Sequence, residues 1–201
     1  MKKELSQMSL EELWELFPII LKEHNSCYKE WYKSEKSNIF RCISNDYINR
    51  INHIGSSAVN NLIAKPTIDI LLELNRTSDI SQIIATLVNN GWTLMSSELE
   101  PEVKFSLNKG YTPNGFAERV YHLHVRYLGD WNELYFRDYL IEHYEVAAEY
   151  GRLKLSLWKK YENNRDGYTD AKTEFITNFT EKARREYADR YVPKNTRKTL
   201  G

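Results

Sequence analysis

The stretch that decides the fold is Lys65-Pro66-Thr67-Ile68-Asp69-Ile70-Leu71-Leu72-Glu73-Leu74. Pro66 has no N–H to give to a ladder, so it closes off what precedes it and lets a strand begin at Thr67. Alternation along that strand puts Ile68, Ile70, Leu72 and Leu74 on one face and Asp69, Leu71 and Glu73 on the other. A lone carboxylate in mid-strand is costly to bury, so Asp69 calls for a cation, a metal or several hydrogen bonds. On an edge strand, or paired with Lys65 or an arginine, the same residue would be purely structural.

Upstream, Ile48 to His53 reads as a short strand running into His53-Ile54-Gly55-Ser56-Ser57-Ala58-Val59. Gly55 lets backbone approach a ligand, and Ser56 or Ser57 can cap the apolar helical turn expected next. Exposed N–H groups at such a start suit a phosphate. A tight turn with an N-cap would carry the same residues. Downstream, Arg119 to Tyr127 is a second strand, with Tyr121, Leu123, Val125 and Tyr127 facing one way and His122, His124 and Arg126 the other. The two histidines lie roughly 7 Å apart between Cα atoms. They suit a metal or, when charged, an anion. A polar strand face explains the pair equally well.

The remaining elements follow from local signals. Ser9-Leu10-Glu11-Glu12 is a capping box, and Leu10, Leu13, Trp14, Phe17, Ile20 and Leu21 recur at helical spacing, with a break expected at Pro18. Tyr28, Trp31 and Tyr32 open a second helix. A helix from Ile80 ends at Asn89-Asn90-Gly91. Residues 92–96 and 103–107 are strand candidates, and Gly110 to Gly115 reads as a turn. From Trp131 the pattern is helical to about Tyr161, with a break expected near Tyr150-Gly151. Asn163 to Tyr168 reads as a polar connection, and Thr169-Asp170-Ala171-Lys172 opens a last helix to about Tyr187. Strands mixed with helices, then helices alone, imply one α/β (α+β) domain. Its mixed sheet spans about 45–130 and its helical layer about 131–190; the basic tail that starts at Arg184 is expected to fray, wholly so after 190.

Composition bounds the partners. The 28 Lys and Arg balance the 28 Asp and Glu, which argues against DNA or RNA, since such binders carry a basic excess. No apolar run approaches the ~20 residues that span a bilayer, and the polar N-terminus does not look like a signal peptide, so a cytoplasmic protein is expected. Cys27 and Cys42 have no zinc-ligand spacing. Glu98, Glu100 and Glu102 read as solvated, as do Lys154 and Lys172 on their helices. Arg137 reads either as a phosphate ligand or as the partner of an acidic neighbour.

Six ordered blocks then show a resemblance. They are residues 53–59, Ala64-Lys65-Pro66-Thr67-Ile68-Asp69-Ile70, His122-Leu123-His124-Val125, Phe136-Arg137-Asp138-Tyr139-Leu140, Glu149-Tyr150-Gly151-Arg152-Leu153-Lys154 and Tyr168-Thr169-Asp170-Ala171-Lys172. Together they resemble GrpB proteins over residues 10 to 185. The resemblance implies a polymerase-beta-like nucleotidyltransferase core with added N- and C-terminal helices, and a link to nucleotide or coenzyme A metabolism. It implies that Gly55 and Ser56 grip phosphate and that Asp69 is the first metal carboxylate. Leu71 stands where the second carboxylate belongs, and Glu73 is about 13 Å along the strand.

The expected site is therefore Gly55, Ser56, Ser57, Lys65 and Arg126 around phosphate, with Asp69, His122 and His124 on a divalent ion (Mg²⁺ or Mn²⁺, with Zn²⁺ as alternative). His53 and Arg137 are further pocket candidates. The expected function is metal-assisted nucleotidyl transfer on a nucleotide or another phosphorylated small molecule. A non-catalytic nucleotide- or coenzyme A-related accessory module and a histidine-based metal-dependent hydrolase are the rivals.

Overall fold

The computed structural model describes residues 3–194. Thr67–Leu74 forms strand β2 as its alternation requires. β1 (Ile48–Ile54) pairs antiparallel on one side of it, and β5 (Gly115–Tyr127) pairs parallel on the other. β4 (Lys104–Thr112) and β3 (Thr93–Glu98) extend the sheet antiparallel, giving the order β1-β2-β5-β4-β3. The sheet is mixed, as expected, because a helix-bearing crossover separates β2 from its parallel neighbour.

One face of the sheet is the main core. Ile68, Ile70, Leu72 and Leu74 are fully buried there. They pack with Leu123 and Val125 against α2 (Tyr28–Cys42) and α3 (Ile80–Asn89). Each such side chain contributes about 1.5–3 kcal/mol on leaving water. The opposite face carries Asp69, Leu71, Glu73, His122, His124 and Arg126. Over it lies a helical layer of α4 (Asn132–Glu142), α5 (Tyr144–Tyr161), α6 (Arg165–Asp170) and α7 (Thr173–Tyr187). Its own apolar seams join Leu140 and Tyr150 to Val59 and Leu62, and Tyr135 and Tyr139 to Phe179 and Ala183.

Several boundaries differ from the sequence expectations. Helix α1 (Leu10–Leu16) has both bonds of the Ser9–Glu12 capping box, and it stops before Phe17-Pro18, leaving Ile20 and Leu21 outside any helix. The turn expected over Gly110 to Gly115 shrinks to Pro113-Asn114, because β4 and β5 continue pairing up to Thr112 and Gly115. Gly110 sits at a bulge with φ 93°. A Cβ there would meet the Arg119 carbonyl at 2.3 Å, so glycine alone fits. The helical break falls at His143, not at Tyr150-Gly151, where Gly151 lies within α5 against Leu62 and Ile63.

The connection expected at Asn163 to Tyr168 contains most of α6, and the last helix opens at Thr173 instead of Thr169. Nor does the chain fray directly past Arg184. That residue bonds Asp130 and Asn132, and Tyr191 packs on Tyr135 and donates to Asp138. The rest of the expected tail, from 195 onward, lies outside the described residues. No helix among the described residues is long and apolar enough to cross a membrane.

Candidate anion-binding site

The site begins at the end of β1. Gly55 takes φ 70°, a left-handed value that favours glycine. A Cβ on it would lie 2.5 Å from Oδ2 of Asp69. The glycine is therefore the space into which the carboxylate fits. Beyond it comes only a single 3-10 turn, Ser56–Ala58. The helix N-terminus expected to hold phosphate does not form, since one turn offers almost no aligned dipole. Asn61 supplies the left-handed turn, at φ 59°, that returns the chain toward Lys65.

Asp69 is joined to its neighbours by a run of hydrogen bonds. Its Oδ1 accepts from His122 Nδ1 at 3.0 Å, the pairing that the β2–β5 register sets up. His122 Nε2 meets the Tyr111 hydroxyl at 2.8 Å, and Arg165 Nη2 donates to that hydroxyl oxygen at 3.1 Å. Because the Asp69 carboxylate only accepts, His122 carries hydrogen on Nδ1, and its Nε2 shares the Tyr111 hydroxyl with Arg165. Burial pushes the Asp69 carboxyl up, but the His122 hydrogen bond and the surrounding histidines outweigh it and hold the pKa below the usual value. His124 stands 4.0 Å from the same oxygen, and burial pushes its imidazole down against the pull of Asp69.

A cavity of about 310 Å³ opens beside this chain, walled by Ser56, Thr67 and Tyr168 and by four cations, Lys65, Lys154, Lys172 and Arg165. Asp69 is its one carboxylate among the described residues, and none of the four cations is ion-paired there. Lys154 is buried, reaching from α5 to donate to Ser56 Oγ at 3.0 Å and to the Ile63 carbonyl. The Lys65 and Lys172 ammonium groups both lie over the Tyr168 ring, at 4.9 and 4.2 Å from its centroid. Burial, then the charges of Arg165 and Lys172, push Lys65 down to about 7. Burial and Lys172 do the same to Lys154, also to about 7. For Lys172, burial and Arg165 outweigh Asp69 and leave it at about 8.

The expectation that Lys154 and Lys172 are solvated is thus overturned. Lys154 lies on α5 and Lys172 just before α7, and both line the cavity. Arg165 and Tyr111 went unnoticed in the sequence, and Tyr168 was named without a role. For Lys154, Tyr168 and Lys172 the available signal was their place inside two of the resembling blocks; Arg165 and Tyr111 had none.

Other expected ligands lie elsewhere. Arg126 is buried and pairs with Glu133 at 2.9 Å, outside the lysine cavity. Its Nε and Nη1 have no partner, and it lies beneath Trp131 in a second cleft of about 520 Å³ that Gly55, Ser56 and Asp69 also line. Glu102 lines that cleft, while Glu98 and Glu100 are exposed away from both. Ser57 does line the lysine cavity, but it is buried with its hydroxyl 3.0 Å from His53 Nε2. His53 stacks on Tyr32 behind the site, where burial holds its pKa down to about 4. Arg137 bonds Asp138 and the His53 carbonyl, so it ties α4 to β1.

A GrpB family model matches residues 18–182. The chain belongs to the GrpB family. It is 32% identical over 161 residues to the glutamate-rich protein GrpB of Alkalihalophilus pseudofirmus, covering 79% of this chain and 91% of that one. It is 30% identical over 166 residues to the UPF0157 protein YqkA of Bacillus subtilis, covering 81% of this chain but only 46% of YqkA, so it spans about half the length of that relative. Among solved structures, GrpB from Enterococcus faecalis superposes with a TM-score of 0.73 at 26% identity, over 84% of this chain and 99% of that one. The likeness to the Cid1 poly(U) polymerase is distant, with a TM-score of 0.48 at 12% identity over 81% of this chain and 51% of that one.

For this GrpB-family chain the donor set does not fit a metal held by side chains. Leu71 is fully buried with Ile54 and Leu134, so an apolar cluster occupies the position of the second carboxylate. Glu73 is taken by Arg50, and both nitrogens of His122 are engaged. Among the described residues no group of three His, Cys, Asp or Glu is arranged to hold a metal ion.

Proposed function

We propose that the protein binds a phosphorylated small molecule carrying at least two phosphate groups, with Lys65, Lys154, Lys172 and Arg165 neutralising it. The observation that carries this reading is the cavity itself, in which four unpaired cations face one carboxylate. Gathering such groups around one carboxylate costs them charge, so the cluster points to an absent anion that would restore it. One phosphate monoester brings only about −1.5 to −2 charge, which leaves the four cations partly unmatched. Ser56 Oγ and the Thr67 hydroxyl add neutral donors, and the cations take over the charge-neutralising task that the sequence suggested for a divalent ion.

A second reading is favoured by one specific feature. Gly55, Ser56 and Asp69 line both the lysine cavity and the cleft that holds His124, Arg126 and Glu133. An acceptor molecule in that cleft would lie across Asp69 from a phosphorylated donor, the placement that group transfer such as nucleotidyl transfer needs. Binding without turnover remains the primary reading.

Inorganic tripolyphosphate and nucleoside triphosphates, each added in EDTA at about a hundred times Kd, should stabilise the protein by about 2.7 kcal/mol. That corresponds to a rise of about 5–11 °C in Tm for a chain of this size. No shift with any of these compounds would sink the proposal. A shift that needs Mg²⁺ or Mn²⁺ and disappears in Asp69→Asn would replace it with the metal-assisted reading.

A further inference from the structure

The lysine cavity has a second opening, unlike the first in chemistry. A cleft of about 490 Å³ shares Lys65, Thr67 and Arg165 with it. That volume is within the range of sites that enclose small organic ligands. Phe17, Tyr111 and Phe116 build one wall, their ring centroids 4.9, 5.0 and 5.3 Å apart. Trp31 stands among the other lining residues. Arg165 is common to both spaces and spreads over the Tyr111 ring, with 5.7 Å from its Cζ to the centroid.

The cleft is also polarised. Two of its three cations, Lys65 and Arg165, are shared with the cavity, whereas Lys22 and the carboxylates Glu23 and Glu118 belong to the cleft alone and leave that end with one more negative than positive charge. An anionic group is therefore drawn to the shared end and repelled from the carboxylates, which accept hydrogen bonds from amino or hydroxyl donors. A single elongated ligand meets all of this if one end carries the charge and the other is neutral, planar and rich in donors.

We propose that this aromatic cleft binds the nucleoside body of a nucleoside polyphosphate whose phosphates occupy the lysine cavity. The inference rests on the phosphate-binding reading above and adds the subsite and the ligand class. The ring stacks on the Phe17–Tyr111–Phe116 wall, and its exocyclic amino group or the sugar hydroxyls donate to Glu23 or Glu118. The segment around Phe17 and Pro18, outside the sheet, thereby becomes part of the binding site.

Isothermal titration of the full chain with tripolyphosphate and with each of the four ribonucleoside triphosphates tests this. Tripolyphosphate carries more charge than a nucleoside triphosphate, so charge alone would favour it. The expected result is that at least one nucleoside triphosphate binds about tenfold more tightly, the size of effect that ring stacking provides. Ala117→Phe fills the cleft from an exposed strand position, and Phe116→Ala removes part of its wall. Both should bring that nucleotide to the tripolyphosphate level while leaving tripolyphosphate within about twofold, and Lys172→Gln should weaken both ligands. Equal affinities, or cleft variants that weaken both ligands alike, overturn the nucleoside subsite and leave the phosphate reading standing. Failure of every ligand to bind overturns both.

Discussion

Asp69 and Glu73 lie on the same face of β2, two strand repeats apart, yet they stand in opposite kinds of surroundings. Glu73 is wholly enclosed and accepts two hydrogen bonds from Arg50, at 2.9 and 2.6 Å, and one from the Gly129 N–H at 3.3 Å. Close by, Arg126 is matched by Glu133, and Arg184 by Asp130. At the Asp69 end four cations surround one carboxylate, which already accepts from His122. Charge at the Glu73 end is closed on itself and holds the helical layer to the sheet. Charge at the Asp69 end is left open, and open charge is what a ligand can complete.

The largest effect should come from breaking the closed end. Glu73→Ala leaves Arg50 without its carboxylate in a half-buried place, and losing one partner of a buried pair costs about 3–5 kcal/mol. Urea denaturation should show that loss, with Tm lower by about 6–20 °C. A change below ~1 kcal/mol would mean that this end is no more structural than the other.

Gly55→Ala should come next, because it strikes the hinge between strand and cavity. The new methyl would overlap Asp69 Oδ2 at 2.5 Å while the residue is held at φ 70°. Strain of this kind costs about 1–3 kcal/mol. The carboxylate must also move away from His122, so polyphosphate affinity should change as well as stability. Stability lost with the affinity intact would detach Gly55 from the site.

How far this contrast could be read in the sequence depends on how each residue reaches its place. β2 and most of β5 were legible because alternation is a local signal, and so was the shared row of His122, His124 and Arg126. The pairing of Arg126 was not legible, because its partner Glu133 comes from the helix after a turn through Asp130 and Trp131, which strand periodicity does not reveal. Lys154 and Lys172 have the spacing of any solvated helical face. Only the packing of α5 and α7 against the Gly55–Lys65 segment turns their ammonium groups inward, and that is decided by Val59 and Leu62 of the segment meeting Tyr150 and Phe175 of the helices. The resemblance puts Leu71 where a second carboxylate belongs. Its meaning, an apolar seal under α4, needed Leu134 beside it.

Removing one open cation should separate stability from binding. Lys172→Met deletes a charge that burial already disfavours, and it breaks no ion pair in the described structure. Stability should stay level or rise slightly, while tripolyphosphate affinity falls about tenfold, as expected for one charge-assisted hydrogen bond. Loss of stability comparable to that of Glu73→Ala would erase the distinction between the two ends.

The smallest effect, and the one that reads the open charges directly, is pH dependence. Lys65 and Lys154 titrate at about 7 and Lys172 at about 8 in the folded chain, against 10.5 for the free side chain. Between those values the unfolded chain binds more protons than the folded one, so stability must rise as pH rises through this window. His53, at about 4 instead of 6.5, adds the same slope in the acid range. Above about pH 10 the buried tyrosines Tyr150 and Tyr168, pushed up by burial, reverse the slope, because the unfolded chain then loses its phenolic protons first. The free protein should therefore melt at a higher temperature at pH 9 than at pH 7. A bound polyphosphate holds the lysines charged, so binding takes up protons and its affinity falls from pH 7 to pH 9. Titrations at pH 8 in buffers of different ionisation enthalpy should report that uptake. A free protein whose Tm is flat from pH 7 to 9, or ligand binding without proton uptake, would show that the cavity lysines are charged before any ligand arrives.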